Sequence, residues 1–144
     1  MLIEIRPEPF DPWAEVSIHP ERCGVEAGSF GACSVFVGSM RDFNLGDTVH
    51  CMELEHYEGM TEKLLADHAG AVIDRYGLTE LLILHRVGMI YPGDPIVLVA
   101  AWSAHRAEAF DGCRDMMEHL KSRATFWKKE SLEDTAEQRW VDNR

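Results

Sequence analysis

The sequence predicts a single α+β domain, and three observations carry that reading. Apolar residues alternate with polar ones over 2–6 and 48–57, they recur at three- and four-residue spacing over 64–76 and 109–120, and a Pro-Gly turn joins two apolar runs at 91–94. The first pattern is that of half-buried strands, the second of amphipathic helices, and the third of a tight reversal between strands. Strands joined in pairs by tight turns favour α+β over a doubly wound parallel sheet. A chain of 144 residues can bury one hydrophobic core and is too short for two ordinary domains, so residues 1–144 are taken as one domain.

In chain order, Leu2 to Arg6 reads as a short edge strand, and Asp11-Pro12 as the cap and first turn of a short helix. Gly24, Gly28 and Gly31 mark a loop. Residues 32–37 are small and β-branched, and 48–57 set Met52, Leu54 and His56 against Glu53, Glu55 and Tyr57; these are predicted as two strands paired across the loop 41–47. Leu64, Leu65, Val72, Ile73 and Tyr76 then lie on one helical face, with Thr61 as expected cap and Gly77 as stop. A second strand pair, 80–87 and 96–102, turns at Tyr91-Pro92-Gly93-Asp94. Ser103 is the expected cap of a second main helix with the stripe Ala109, Phe110, Cys113, Met117 and Leu120, and residues from about 130 to 144 are left as a polar tail.

Composition excludes several classes. Hydrophobic residues at 46% and charged residues at 27% are those of a soluble globular chain. The net charge of −11 argues against nucleic-acid binding, which needs a basic face. No run approaches the roughly 20 apolar residues of a membrane span, and the N-terminus has no basic-then-apolar signal; a cytoplasmic, unprocessed protein is expected. Cys23, Cys33, Cys51 and Cys113 form no C-x-x-C pair and are expected to be reduced and mostly buried. The histidines make no H-E-x-x-H pattern, and His56 and His85 fall within predicted strands; no metal or cofactor is expected. No Walker loop, G-x-S-x-G or G-x-G-x-x-G is present.

Three features could carry chemistry. Ser103-Ala104-His105-Arg106 stands where a strand ends and a helix begins, a place whose free N–H groups and dipole favour an anion; the alternative is that Arg106 pairs with Glu108 or Asp111 and His105 only helps the cap. Residues 120–130, with Lys121, Arg123, Lys128 and Lys129 interleaved with Phe126 and Trp127, reverse the local sign of an acidic chain at the expected end of the second helix. They either complement the helix dipole and pack on the core, or hold a flat, negatively charged heterocycle by stacking and ion pairing. Arg41, in the first loop, could reach into a pocket. Arg106 and Lys121 are expected on one helix, and at about 1.5 Å per residue lie roughly 22 Å apart. If both serve one small ligand, a second copy of the chain supplies one of them.

With these blocks in view, the chain resembles the large, catalytic subunit family of molybdopterin synthase. The resemblance runs from about Gly31 to Arg139 through Phe36-Val37-Gly38-Ser39-Met40-Arg41, Asn44-Leu45-Gly46-Asp47, Leu54-Glu55-His56-Tyr57, Gly59-Met60-Thr61-Glu62-Lys63, His85-Arg86-Val87-Gly88, Pro92-Gly93-Asp94, Ser103-Ala104-His105-Arg106 and Leu120-Lys121 to Glu130. It implies an α/β-hammerhead-like domain and a sulfurtransferase. Sulfur would pass from the Gly-Gly thiocarboxylate terminus of a small ubiquitin-like subunit to cyclic pyranopterin monophosphate, giving the molybdopterin dithiolene. The implied assembly is a heterotetramer around a homodimer of large subunits. By the same resemblance Lys121 and Lys128 are the catalytic lysines, and Arg41, His105 and Arg106 bind phosphate and pterin. Lys129, Glu130 and Arg139 are further expected pocket residues. Ser39 and Met40 share the expected substrate site but stand where Lys-Val or Thr-Val is common, and Thr125 stands where proline is common. A module that only docks a ubiquitin-like partner, and an enzyme acting alone on another cyclic phosphate or pterin, are the competing readings.

Overall fold

The computed structural model describes residues 1–123, 125–132 and 138–141. The elements are β1 (Leu2–Arg6), α1 (Pro12–Arg22), β2 (Ala32–Ser39), β3 (Phe43–Asn44), β4 (Asp47–His56), α2 (Met60–Tyr76), β5 (Glu80–Arg86), β6 (Gly88–Ile90), β7 (Pro95–Ser103), α3 (Arg106–Ser122), β8 (Phe126–Leu132) and β9 (Gln138–Val141). One sheet has the order β1-β5-β7-β2, and the other has β3-β4-β8-β9 with β6 also on β4. The α+β class holds: β5 and β7 pair antiparallel across the 91–94 turn, and only β1 runs parallel to its neighbour β5.

All seven residues of β5 are buried because both faces of the first sheet are covered. Alternation sorts its side chains. Leu81 and Ile83 join Leu65, Val72, Met116 and Leu120 beneath α2 and α3. Leu82 and Leu84 join Phe10, Leu98 and Trp102 on the other face, with Val16 of α1 packed against them. A third cluster, Met40, Val49, Met52, Leu54 and Ile90, fills the second sheet.

Local signals explain most boundaries. Asp11 caps α1 by accepting from the Trp13 and Ala14 amides at 3.0 and 3.3 Å. Gly77 stops α2 in the left-handed region, φ 63°, where L side chains are disfavoured. Two expected caps shift. The cap of α2 is Gly59, whose amide donates to Glu62 at 2.6 Å, while Thr61 is buried and bonds Thr125 instead. The cap of α3 is His105, because Ser103 ends β7 as a buried strand residue.

The pairing of 32–37 with 48–57 is overturned: β2 lies against β7, whereas β4 pairs with β3, β6 and β8 in the other sheet. The segment read as the end of the second helix is largely strand β8. Of the region left as polar tail, 130–132 completes β8 and Gln138–Val141 forms β9; 133–137 and 142–144 lie outside the described residues. Phe110, placed on the apolar stripe of α3, is 63% exposed. Of the four cysteines only Cys51 and Cys113 are buried.

Leu65, wholly withdrawn from solvent between α2 and the sheet, tests this core. Leu65→Ala is expected to cost about 2–5 kcal/mol in chemical denaturation; a loss under about 1 kcal/mol would place that side chain outside a close-packed core.

Candidate functional site

The two sheets and the end of α3 enclose a cavity of about 540 Å³. Ser39, Met40 and Arg41 reach it from the end of β2, Lys121 from the last turn of α3, and Lys128 and Glu130 from β8. Its walls include Phe36, Met52, His85 and Met117, and Phe43, Leu45 and Trp140 stand at it as exposed apolar side chains. The cavity thus unites Arg41, Lys121 and Lys128, three cations of a chain whose net charge is −11.

Backbone geometry aims these residues. Gly38 lies where an added Cβ would meet Val97 Cγ1 at 2.8 Å, and the β2–β7 register shifts between Gly38 and Ser39. Such an irregularity bends the strand at Ser39, still paired with Pro95, so that Met40 and Arg41 leave the ladder beyond it. Met40 is then fixed to the 91–94 turn, its amide donating to the Asp94 carbonyl at 2.9 Å and its carbonyl accepting from Gly93 at 2.8 Å. Beyond it, β3 and β4 form a hairpin through Leu45-Gly46, both with positive φ, as a two-residue turn of this kind requires.

Strand alternation on β8 separates residues that spacing alone could not rank. Phe126 and Glu130 are buried and Lys128 is half-buried on one face, and Lys128 and Glu130 line the cavity. Lys129 alternates away from them and holds its ammonium 5.6 Å from the Trp140 ring centroid. Burial pushes the Lys128 ammonium below its ordinary value, and Lys121 and Arg41 push it the same way while Glu130 opposes. Burial is the main cost of the Lys128 charge and the neighbouring Lys121 and Arg41 add to it, an arrangement that favours a bound anion.

Glu130 is a clamp. One carboxylate oxygen accepts from Asn44 Nδ2 at 2.7 Å and the other from Arg139 Nε at 3.0 Å. Arg139 also donates to Asp47 Oδ2 at 2.8 Å and to the Asn44 carbonyl at 2.9 Å. Both residues expected to touch substrate thus spend these polar groups in joining β9 and β8 to the β3–β4 hairpin beside the cavity.

His105 and Arg106 are exposed at the opposite end of α3 and do not line this cavity. Arg106 borders a separate hollow of about 160 Å³ with Cys33, Ser34 and Phe110. No ion pair from Arg106 to Glu108 or Asp111 forms among the described residues, and the His105 side chain makes no capping bond. The sequence missed His85, which stacks on Phe126 with centroids 3.8 Å apart and faces the cavity. Its strand position was legible, but its neighbour across the fold was not.

Fold and cavity define an α+β protein with three cationic side chains gathered at one cavity. The comparisons carry this further. A family profile described as "MoaE protein" matches residues 7–123. The molybdopterin synthase catalytic subunit of Pseudomonas aeruginosa is 49% identical over 146 residues, covering 100% of this chain and 92% of that protein. The chain belongs to the MoaE family of molybdopterin synthase catalytic subunits. Among solved structures, the molybdopterin biosynthesis MoaE protein from Burkholderia ambifaria has TM-score 0.79 at 43% identity, covering 99% of this chain and 89% of that one. Molybdopterin synthase from Staphylococcus aureus has TM-score 0.82 at 30% identity, with 96% of each chain covered. Among the described residues no helix is long and apolar enough to cross a membrane.

Two titrations test the electrostatics. Replacing Lys121 by Gln is expected to raise the Lys128 pKa toward its ordinary value, and Glu130→Gln to lower it further, as read by NMR titration of the lysine side chains. His85 is pushed down to about 4, chiefly by burial, with Lys128 and His56 adding and its bond to the Arg86 carbonyl opposing. Its stabilising effect is complete above the ordinary value of 6.5 and is lost as pH falls from there toward 4, because only the unfolded chain takes up the proton readily. The loss is at most about 1.4 kcal/mol per pH unit, roughly 3 kcal/mol in all. In urea denaturation across that window His85→Gln is expected to flatten the slope; an unchanged slope would assign it to other groups.

Proposed function

We propose that this chain acts as the catalytic subunit of a molybdopterin synthase. It would transfer sulfur from the thiocarboxylated Gly-Gly terminus of a small ubiquitin-like subunit to cyclic pyranopterin monophosphate, forming the dithiolene. The observation that carries the reading is the convergence of Arg41, Lys121 and Lys128 on one 540 Å³ cavity in a chain that matches a named catalytic subunit along its whole length. The substrate's cyclic phosphate is anionic and the incoming thiocarboxylate is anionic, so a cavity with three cations suits both. Arg41 offers a forked donor for phosphate. Lys121 is the lysine assigned to the partner's terminus, stabilising charge as the thiocarboxylate attacks or its acyl group is released. Lys128, with its depressed pKa, is suited to carry a proton.

His105 and Arg106 enter this reading only through a second chain. They and Lys121 occupy opposite ends of the 17-residue α3, separated by roughly 22 Å at about 1.5 Å per residue. We therefore place them in the site of the partner copy within a homodimer, with one small subunit per large subunit making a heterotetramer. Lys129, Glu130 and Arg139 are given supporting roles at the cavity wall, and Ser39 and Met40 a place beside the substrate. A cytoplasmic location suits four cysteines that are all free.

The reaction is tested by mixing the chain with thiocarboxylated small subunit and cyclic pyranopterin monophosphate and following dithiolene. Product is expected only with both proteins, and Lys121→Ala is expected to lower the rate at least about tenfold, some 1.4 kcal/mol of barrier. Product without the small subunit would sink the synthase reading. Mixing Lys121→Ala and Arg106→Ala chains is expected to restore part of the activity that each lacks alone, since a mixed dimer contains one intact shared site. No recovery, with mixed dimers shown to form, would place both residues in one chain's site or remove Arg106 from it.

A further inference from the structure

The end of α1 meets the start of β5 on the sheet face that carries Trp102, away from the lysine cavity. His19 and Cys23 are four apart at the end of α1, so they share one side of it. Glu80 opens β5 directly opposite Trp102 in the β5–β7 ladder. His19 is fully buried and stacks on Trp102 with ring centroids 5.1 Å apart and planes 23° from parallel, which fixes where its nitrogens point. Nδ1 lies 3.6 Å from Cys23 Sγ, and Nε2 lies 3.6 Å from Glu80 Oε2.

The second distance is too long for a hydrogen bond, and His19 Nε2 is a buried nitrogen with no hydrogen-bond partner. Glu80 Oε1 is engaged by the Leu81 amide at 2.8 Å and by the Met1 ammonium, so it is Oε2 that faces the histidine. A nitrogen and an oxygen bound to one tetrahedral ion, each at about 2.1 Å, sit roughly 3.4 Å apart. The gap of 3.6 Å is therefore of the size a metal fills. The ligand atoms of His19, Cys23 and Glu80 all lie within 4.8 Å of one another. Cys23 Sγ rests against Nδ1, so for an ion on Nε2 this exposed side chain at the C-cap of α1 leaves that contact by rotation about χ1. Burial holds His19 in the neutral form that a metal requires.

We propose that His19, Cys23 and Glu80 form a binding site for a divalent cation of the zinc class, with solvent in the fourth position, tying α1 to β5. Imidazole, thiolate and carboxylate together select zinc or its chemical relatives over magnesium and calcium, which prefer oxygen. The Cys23 thiol gives up its proton to solvent on binding. None of the three residues lines the lysine cavity, so the site stands or falls independently of sulfur transfer.

The probe is cobalt(II) titrated into the full chain after chelator treatment, because cobalt bound by a thiolate shows a sulfur-to-metal charge-transfer band that nitrogen and oxygen ligands do not give. The band is expected to saturate at one ion per chain and to be displaced by zinc. Cys23→Ser should abolish it, and both Cys23→Ser and Glu80→Gln should weaken zinc binding at least about tenfold. Cys33→Ser, which removes the other exposed thiol, should leave both readouts unchanged. Absence of the band in the wild-type chain would overturn the proposal, as would its survival in Cys23→Ser, its loss in Cys33→Ser, or undiminished zinc affinity in Glu80→Gln.

Discussion

The β5–β7 pair, covered by helices on both faces, is the constraint from which the rest of the molecule is hung. Every residue of β5 is buried, so neither strand can slip by one position without driving half its side chains into the wrong apolar cluster. That fixed alternation also distributes the polar residues at the ends of β5. Glu80 follows the even positions toward Trp102 and α1, while His85 follows the odd ones toward Phe126 and the cavity. Two distant pieces of chemistry are thus set by the register of one strand. Because β7 runs directly into α3, the same register also fixes where Lys121 emerges, roughly 22 Å along that helix at about 1.5 Å per residue.

The second sheet solves a different problem, how to hold cations together inside an acidic protein. Lys128 sits on a strand whose same face carries buried Phe126 and Glu130. Burial there raises the cost of its charge, and no carboxylate bonds it directly among the described residues. Glu130 is instead committed to Asn44 and Arg139. Glu130 still attracts Lys128 across the cavity, but its oxygens are held by Asn44 and Arg139, which join the hairpin to β8 and β9. Replacing Asn44 or Arg139 leaves an oxygen of the buried Glu130 carboxylate without its partner, so the clamp and the electrostatics of the cavity are coupled.

How much of this was legible in the sequence follows from which interactions are local. The Asp11 cap, the Gly77 stop and the 91–94 reversal rest on a few neighbouring residues, and all three were readable. The partner of β2 was not, because adjacency in sequence favoured a hairpin with β4 over the more distant β7 that it meets. Residues 126–130 show the limit most clearly. Lysines and aromatics after an amphipathic run suit a helix end, and only pairing with β4 makes them a strand. With a period of 3.6 no order between Lys128 and Lys129 could be given; with a period of 2 only Lys128 faces the cavity. Arg41, Lys121 and Lys128, each named from the sequence as a candidate, meet at one cavity in the fold, while Glu130 and Arg139 were named without their mutual bond. His19 and Cys23 stand four apart in the sequence, but Glu80 comes beside them only through the sheet.

A single helix connecting two chemically distinct ends limits how the chain can assemble. On the shared-site reading, α3 gives Lys121 to its own cavity and His105 and Arg106 to that of the second copy. A two-fold axis is the simplest operation that satisfies both chains, because each then gives and receives the same residues. The hollow beside Arg106, with exposed Phe110 at its edge, lies at the end of α3 that such a contact must cover. A helix of 17 residues with a buried face is too stiff to bring its two ends closer. The distance between the two sites of a dimer would then be set by the length of α3, and a change that shortened or kinked the helix would misplace residues in both cavities at once.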